Sequence, residues 1–238
     1  MKTIGILGGM GPEATAAVYL NIVRIFQRRF GARFDADFPH MLIDSLPVPD
    51  VVQQVENEAG FIRTLRGGAI RLEDAGAQFL IVACNTAQKY LPQIMSAVSI
   101  PIIDLVLEVA EAVAWRRYSR AGLLGTEATI RDHLYDGSFQ RRGIELLTPE
   151  PAERVVVTRA IMEILAGSDP EVPRADLLPI LESLRERGAE AVVLGCTELP
   201  LVLHPGDSPV ELVDTIQILA EAAVRECRAS AVEFPEGG

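Results

Sequence analysis

Gly76–Gln88 (GAQFLIVACNTAQ) and Gly188–Pro200 (GAEAVVLGCTELP) are two versions of one pattern, and that pattern restricts the fold more than any other feature. Each opens on Gly-Ala, continues as a short apolar run, and reaches a cysteine eight residues after the glycine. Such a run, apolar without alternation, reads as a strand covered on both faces, the kind found in parallel sheets. Upstream, IGILGG (Ile4–Gly9) and AGLLGT (Ala121–Thr126) match as the first strands of the two copies. Each half therefore reads as strand, glycine turn, helices, strand, cysteine.

The rest of the chain fits this frame. Strands are expected at Thr3–Leu7, His40–Ile43, Gln78–Val82, Ile102–Ile103, Ala121–Leu124, Glu190–Leu194 and Val210–Leu212. Helical patterns fall between them, at Pro12–Arg29, Gly60–Ala75, Thr86–Ala97, Leu105–Arg116, Ile130–Arg141, Ala152–Leu165, Arg174–Arg187 and Thr215–Ala229. Pro12 suits a first helical position, and Gly76 and Gly188 stand where helix ends need a left-handed residue. The fold class is α/β, with two pseudo-symmetric α/β domains whose mostly parallel sheets are flanked by helices. The expected division is 1–103 with 212–238 for the domain carrying Cys84, and 104–211 for the domain carrying Cys196. The crossovers lie at Pro101–Asp104 and near Pro209–Asp214. In open α/β sheets ligands bind beyond the carboxyl ends of the strands, where both cysteines lie, so the site is expected in the cleft between the domains.

Composition removes several function classes. The net charge of −11 argues against nucleic acid or an anionic membrane as partner. No apolar stretch approaches the roughly 18 residues of a transmembrane helix. The glycine-broken start MKTIGILGG reads as a first strand rather than a signal core, which places the protein in the cytoplasm. The cysteine count of 3 is odd, so a disulfide framework is not expected. His40, His133 and His204 are scattered without ligand spacing, so no metal site is expected. Only Lys2 and Lys89 are lysines, and neither is well placed for an imine with a cofactor. Gly8–Gly11 (GGMG) lacks the dinucleotide-loop spacing and reads as a turn that hugs a substrate.

Three readings are open for the cysteines. A lone cysteine at a strand end is ordinarily core. A redox or metal role would call for a C-x-x-C pair or a third ligand, which neither cysteine has. The repetition favours two-base proton transfer, one thiol on each face of a carbon stereocentre. Both cysteines stand just ahead of a helix, whose N–H groups and dipole are expected to favour thiolate. Asn85, Thr86 and Thr197, with the same helix starts, would hold a substrate carboxylate.

TIGILGGMGPEAT at the start, CNTA with GCTE, AGLLGTEATI and the closing VDTIQILAEAAV resemble the aspartate/glutamate racemase family, in its aspartate-racemase branch, over essentially the whole chain. The resemblance implies a cofactor-independent racemase acting on a small amino acid and commonly a homodimer. Cys84 and Cys196 would be its catalytic acid/bases, Cys196 acting on the L enantiomer and Cys84 on the D. It adds Met10, Thr126 and Thr129 to the substrate-binding residues. It also exposes departures. Val51 and Leu165 stand where the branch carries an arginine and a lysine for the side-chain carboxylate, and Gln88 replaces a usual histidine. Aspartate is thus the nominal substrate, and a less acidic or apolar amino acid is the alternative.

Arg63, Arg66 and Arg131 are the nearest cations that could replace the clamp, although each reads as a solvated helix face. Glu198 reads as a first-turn helix acid or a proton-relay partner, with the helix role preferred, and Cys227 as core. Two further functions stay open: a related cofactor-free isomerase or decarboxylase, and a non-catalytic carboxylate-binding protein.

Overall fold

The computed structural model describes residues 1–48, 52 and 57–229. The first half runs β1 (Ile4–Gly8), α1 (Pro12–Phe30), β2 (Met41–Ser45), α2 (Glu58–Asp74), β3 (Phe79–Val82) and a 3-10 turn (Thr86–Tyr90) leading into α3 (Leu91–Met95). After α4 (Leu105–Trp115) the pattern repeats. The second half runs β4 (Arg120–Gly125), α5 (Glu127–Arg131), α6 (Asp136–Gln140), β5 (Glu145–Leu147), α7 (Pro151–Leu165), α8 (Glu171–Glu186) and β6 (Ala191–Gly195). It closes with β7 (Glu211–Asp214) and α9 (Thr215–Arg228).

Both sheets are parallel and share one order: β2-β1-β3 in the first, and β5-β4-β6 in the second with β7 added at the end. Ile102 occupies the place of β7 in the first half, although it makes only an isolated parallel bridge to Leu80. The repeat extends to backbone detail. Gly76 and Gly188 have φ of 98° and 97°, the left-handed conformation that glycine adopts without steric cost. Asp104 caps α4 by accepting from Leu107 N–H at 3.0 Å, and Asp214 caps α9 by accepting from Ile216 N–H at 2.8 Å.

Side-chain alternation along the strands builds three cores. Ile4 and Ile6 of β1, Phe79 and Ile81 of β3, Leu123 of β4 and Val193 of β6 all enter a central core with α1, α4, α6 and α9. The opposite parities, Leu80 and Val82 on β3 and Val192 and Leu194 on β6, pack under α2 in one half and under α7 and α8 in the other. Strands β1, β3, β4 and β6 are thus buried on both faces, which is why their sequences are apolar without alternation. At about 1.5–3 kcal/mol per buried aliphatic side chain, the shared central core binds the halves into one unit.

Three expectations need correction, and one strand has no counterpart among them. Residues 212–214 do not return to the first half, because Leu212 pairs with Val192 and Val213 with Val193. Only α9 returns, packing on α1 and α4. The helix expected at Ile130–Arg141 is broken between α5 and α6, where His133 takes a left-handed φ of 50°. The helix expected at Thr86–Ala97 is a 3-10 turn and the short α3. Strand β5, three residues at a sheet edge, has too little apolar pattern to be read in advance. Among the described residues no helix is long and apolar enough to cross a membrane.

Candidate active site

Four strand ends converge. The Gly9–Pro12 loop follows β1, Cys84–Thr86 follow β3, Thr126 follows β4, and Cys196–Glu198 follow β6. They line one cavity of about 250 Å³, closed by Val48 and Val52 beyond β2 and by Met162 and Leu165 of α7. The location is the one parallel-sheet geometry dictates, beyond the carboxyl ends of the strands.

The glycine loop is held from below. Thr15 Oγ1 accepts from Gly9 N–H at 2.9 Å and donates to Gly11 O at 2.8 Å. Gly9 has φ of 90°, and a Cβ there would lie 2.2 Å from Leu46 O. The chain passes Leu46 too closely for any side chain, and that approach places Met10 at the cavity wall.

Cys84 and Cys196 come from equivalent positions of the two halves and both reach the cavity. Burial pushes the Cys84 thiol up to about 12, with the Glu198 charge adding to the shift; N–H groups of Ala87 and Thr86 oppose it. The Cys196 thiol is pushed up by burial first, then by the charge and hydrogen bond of Glu198, and also by Cys84. The expected lowering by helix ends is therefore overturned. The chain after Cys84 forms a 3-10 turn, and the chain after Cys196 forms the three-residue 3-10 turn Leu199–Leu201. Neither has the aligned peptides of a long helix, and desolvation of a charged sulfur prevails.

Glu198, expected chiefly as a first-turn helix acid, turns into the cavity instead. It is 4% exposed. Its Oε2 accepts from Cys196 Sγ–H and from Thr197 Oγ1–H, both at 3.0 Å, and its Oε1 accepts from Gly11 N–H at 3.3 Å. No sequence signal marks this direction, because the Gly11 contact comes from the other half.

The polar wall combines both halves. The hydroxyls of Thr86, Thr126 and Thr129 form a cluster, with Thr86 3.2 Å from Thr126 and Thr126 3.0 Å from Thr129. Thr86 and Thr126 line the cavity, whereas Thr129 stands behind them. Asn85 also lines it, but its amide is engaged. Nδ2 donates to Thr215 Oγ1 at 3.1 Å, Thr215 Oγ1 donates to Leu194 O at 2.8 Å, and Tyr135 O–H donates to Asn85 Oδ1. This chain joins the residue after Cys84 to the strand before Cys196. Tyr135 and Thr215 carry no local pattern that announces it. Gln88 braces the Cys84 turn, donating to Val82 O and Cys84 O and accepting from Leu105 N–H.

The other candidates lie elsewhere. Val51 is outside the described residues. Leu165 lines the cavity. Arg131 pairs with Asp132, and Arg63 and Arg66 lie exposed on α2. Lys2 pairs with Glu226, and Lys89 bridges Glu58 to Asp132. Cys227 is buried in the central core. Among the described residues no group of three His, Cys, Asp or Glu side chains could hold a metal ion.

A family model described as Asp/Glu/Hydantoin racemase matches residues 7–223. The broad specificity amino-acid racemase RacX of Bacillus subtilis (strain 168) is 29% identical over 221 residues, 93% of this chain and 96% of that protein. The crystal structure of an aspartate racemase homologue from Pyrococcus horikoshii OT3 superposes with TM-score 0.81 and 30% identity, covering 95% of this chain and 99% of that one. The Picrophilus torridus aspartate racemase, at 23% identity, shares the fold with TM-score 0.84 over 95% and 94% of the two chains. With a duplicated α/β fold and a two-cysteine cleft already in evidence, these matches show that the chain belongs to the Asp/Glu/hydantoin racemase family and is an amino-acid racemase.

Proposed function

We propose that this racemase uses Cys84 and Cys196, without a cofactor, as acid and base on opposite faces of the α-carbon, and that its substrate carries an uncharged, apolar side chain. The observation that carries the reading is the make-up of the one cavity both thiols reach. Its polar side is the threonine cluster with Thr197, suited to an α-carboxylate, and among the described residues its only charged side chain is Glu198. Asn85 adds an amide already engaged by Thr215 and Tyr135. Besides Gly9, Gly11 and the two cysteines the rest is apolar: Met10, Pro12, Val48, Val52, Met162 and Leu165.

No lysine, arginine or histidine lines it among the described residues, and residues 49–51, 53–56 and 230–238 contain none by sequence. The side-chain carboxylate of aspartate would meet aliphatic groups and the Glu198 charge. An ionic group left unpaired in such a place costs several kcal/mol less its residual solvation. The broad specificity named for the Bacillus subtilis relative accords with a cavity lacking a charged clamp. Neither lysine lines the cavity, which accords with chemistry free of an imine. The resemblance adds a cytoplasmic homodimer, which sedimentation of the purified chain would check.

The test is α-proton exchange in deuterium oxide, followed by proton magnetic resonance, over both enantiomers of alanine, valine, leucine, methionine and aspartate. At least one apolar amino acid should exchange about tenfold faster than aspartate, about 1.4 kcal/mol in barrier. Aspartate as the fastest substrate would overturn the side-chain assignment.

A further inference from the structure

We propose that Met162 sets the length of the substrate side chain, because its thioether stands between the reaction cavity and a larger groove along α7. The inference rests on the apolar-side-chain reading above and deepens it. Among the described residues Met162 alone lines both spaces. The reaction cavity holds about 250 Å³, and the groove about 620 Å³. The first is at the small end for a ligand site and suits a single short amino acid.

Helix geometry joins the two spaces. Pro151, Val155, Thr158, Arg159, Met162 and Leu165 recur at three- and four-residue spacing, so they share one stripe of α7. The stripe starts in solvent, where Val155 is 69% exposed, and ends in the cavity at Met162 and Leu165. Glu127, at the start of α5, also lines the groove, and Thr126 just before it lines the cavity. Both groove arginines are engaged. Arg154 donates to Pro149 O at 2.8 Å and to Thr148 Oγ1 at 3.2 Å, and Arg159 pairs with Asp176 at 2.6 Å. Pro151 and Val155 supply apolar surface beside them.

With the α-carboxylate on the threonine side and the sulfurs flanking the α-carbon, the substrate side chain points to the apolar end, where Met162 stands. Met162 is half-buried and packs on the core under α7 and α8. A side chain that reaches it must stop or displace it. One methylene too many in a closed apolar pocket costs about ten- to two-hundredfold in kcat/KM. Truncation to alanine leaves Cβ on the helix and removes the unbranched chain that forms the partition, so the cavity then runs into the groove.

The experiment is a chain-length profile of kcat/KM over 2-aminobutyrate, norvaline, norleucine, 2-aminoheptanoate and 2-aminooctanoate. Mirror-image substrates have equal free energies, so kcat/KM is the same in both directions and one enantiomer suffices. The wild type should show a drop of at least about tenfold at one chain length. Met162→Ala should move that drop to longer chains and raise kcat/KM for the first excluded homologue about ten- to two-hundredfold. Met162→Phe should move it to shorter chains. Val155→Asp added to Met162→Ala should reduce the gain for 2-aminooctanoate, whose chain would lie along the groove.

A wild-type profile without a drop overturns the inference. So does a drop that stays in place in both Met162 variants while all rates fall together, which is the behaviour of a purely structural methionine. An undiminished gain in the Val155→Asp double variant overturns it as well, by placing the chain outside the groove. Should Met162→Ala fail to fold, the Met162→Phe profile decides. An unmoved drop with an apolar amino acid still fastest sinks this inference alone, whereas aspartate as the fastest wild-type substrate sinks the apolar reading and this inference with it.

Discussion

Tyr135→Phe removes one hydroxyl and should destabilise the whole molecule. The ring is fully buried, its O–H donates to Asn85 Oδ1, and Asn85 is 2% exposed. Without the donor that oxygen keeps no partner among the described residues, and Asn85 is almost wholly buried. A buried acceptor left unsatisfied costs about 1–3 kcal/mol, and the lost methylene-sized volume is nil because the ring stays. For a chain of this length that is a fall in melting temperature of roughly 2–12 °C. Urea unfolding gives the free energy directly. Combining it with Asn85→Ala isolates the cause, since the double variant has neither donor nor stranded acceptor. Its cost should be at least about 0.5 kcal/mol below the sum of the two single costs. Additive costs, or a Tyr135→Phe change under about 0.5 kcal/mol, would refute the claim that this bond ties the halves beside the cysteines.

Leu165→Lys places a cation where a side-chain carboxylate would sit. Leu165 is 42% exposed at the C-terminal end of α7, so the charge is not forced into the core and suits the helix dipole. Aspartate kcat/KM should rise about ten- to a hundredfold, and no rise would contradict the clamp argument. Cys84, held near 12, should alkylate slowly in the resting site. At pH 7 its thiolate fraction is about 10⁻⁵ against about 3% for a free thiol, and higher nucleophilicity returns a factor of about 40. Iodoacetamide should therefore label Cys84 at least about tenfold more slowly than glutathione, with the rate rising as pH is raised; labelling at the free-thiol rate would show the sulfur to be ionised. Gly9→Ala should cost on the order of 1–3 kcal/mol in unfolding free energy, since its Cβ meets Leu46 O at φ of 90°; a neutral effect would mean the loop yields.

The duplicated strands and paired cysteines are legible in the sequence because a strand buried on both faces leaves an unbroken apolar run, as in FLIV of β3 and AVVLG of β6. The illegible parts depend on contacts between distant residues. Leu212 looks the same whether its strand joins the first sheet or the second, and only its pairing with Val192 decides. Glu198 follows Cys-Thr just as a cap would, and its direction comes from Gly11 in the other half. Tyr135 sits in an unremarkable RDHLYDG segment, where the left-handed His133 that breaks the helix has no strong local marker. The thiol protonation state escapes the sequence for a related reason: burial is a property of the assembled cavity, while a helix start is a property of sequence.

Enantiomer-resolved α-proton exchange in Cys84→Ala and Cys196→Ala tests the two-face claim most directly. Each variant is incubated with the separate D and L forms of the best substrate in deuterium oxide. Cys196→Ala should lose exchange starting from the L form and Cys84→Ala exchange starting from the D form, while racemisation falls by several orders of magnitude in both. Equal, mild losses from both enantiomers in both variants would contradict the account and leave the cysteines as structural thiols.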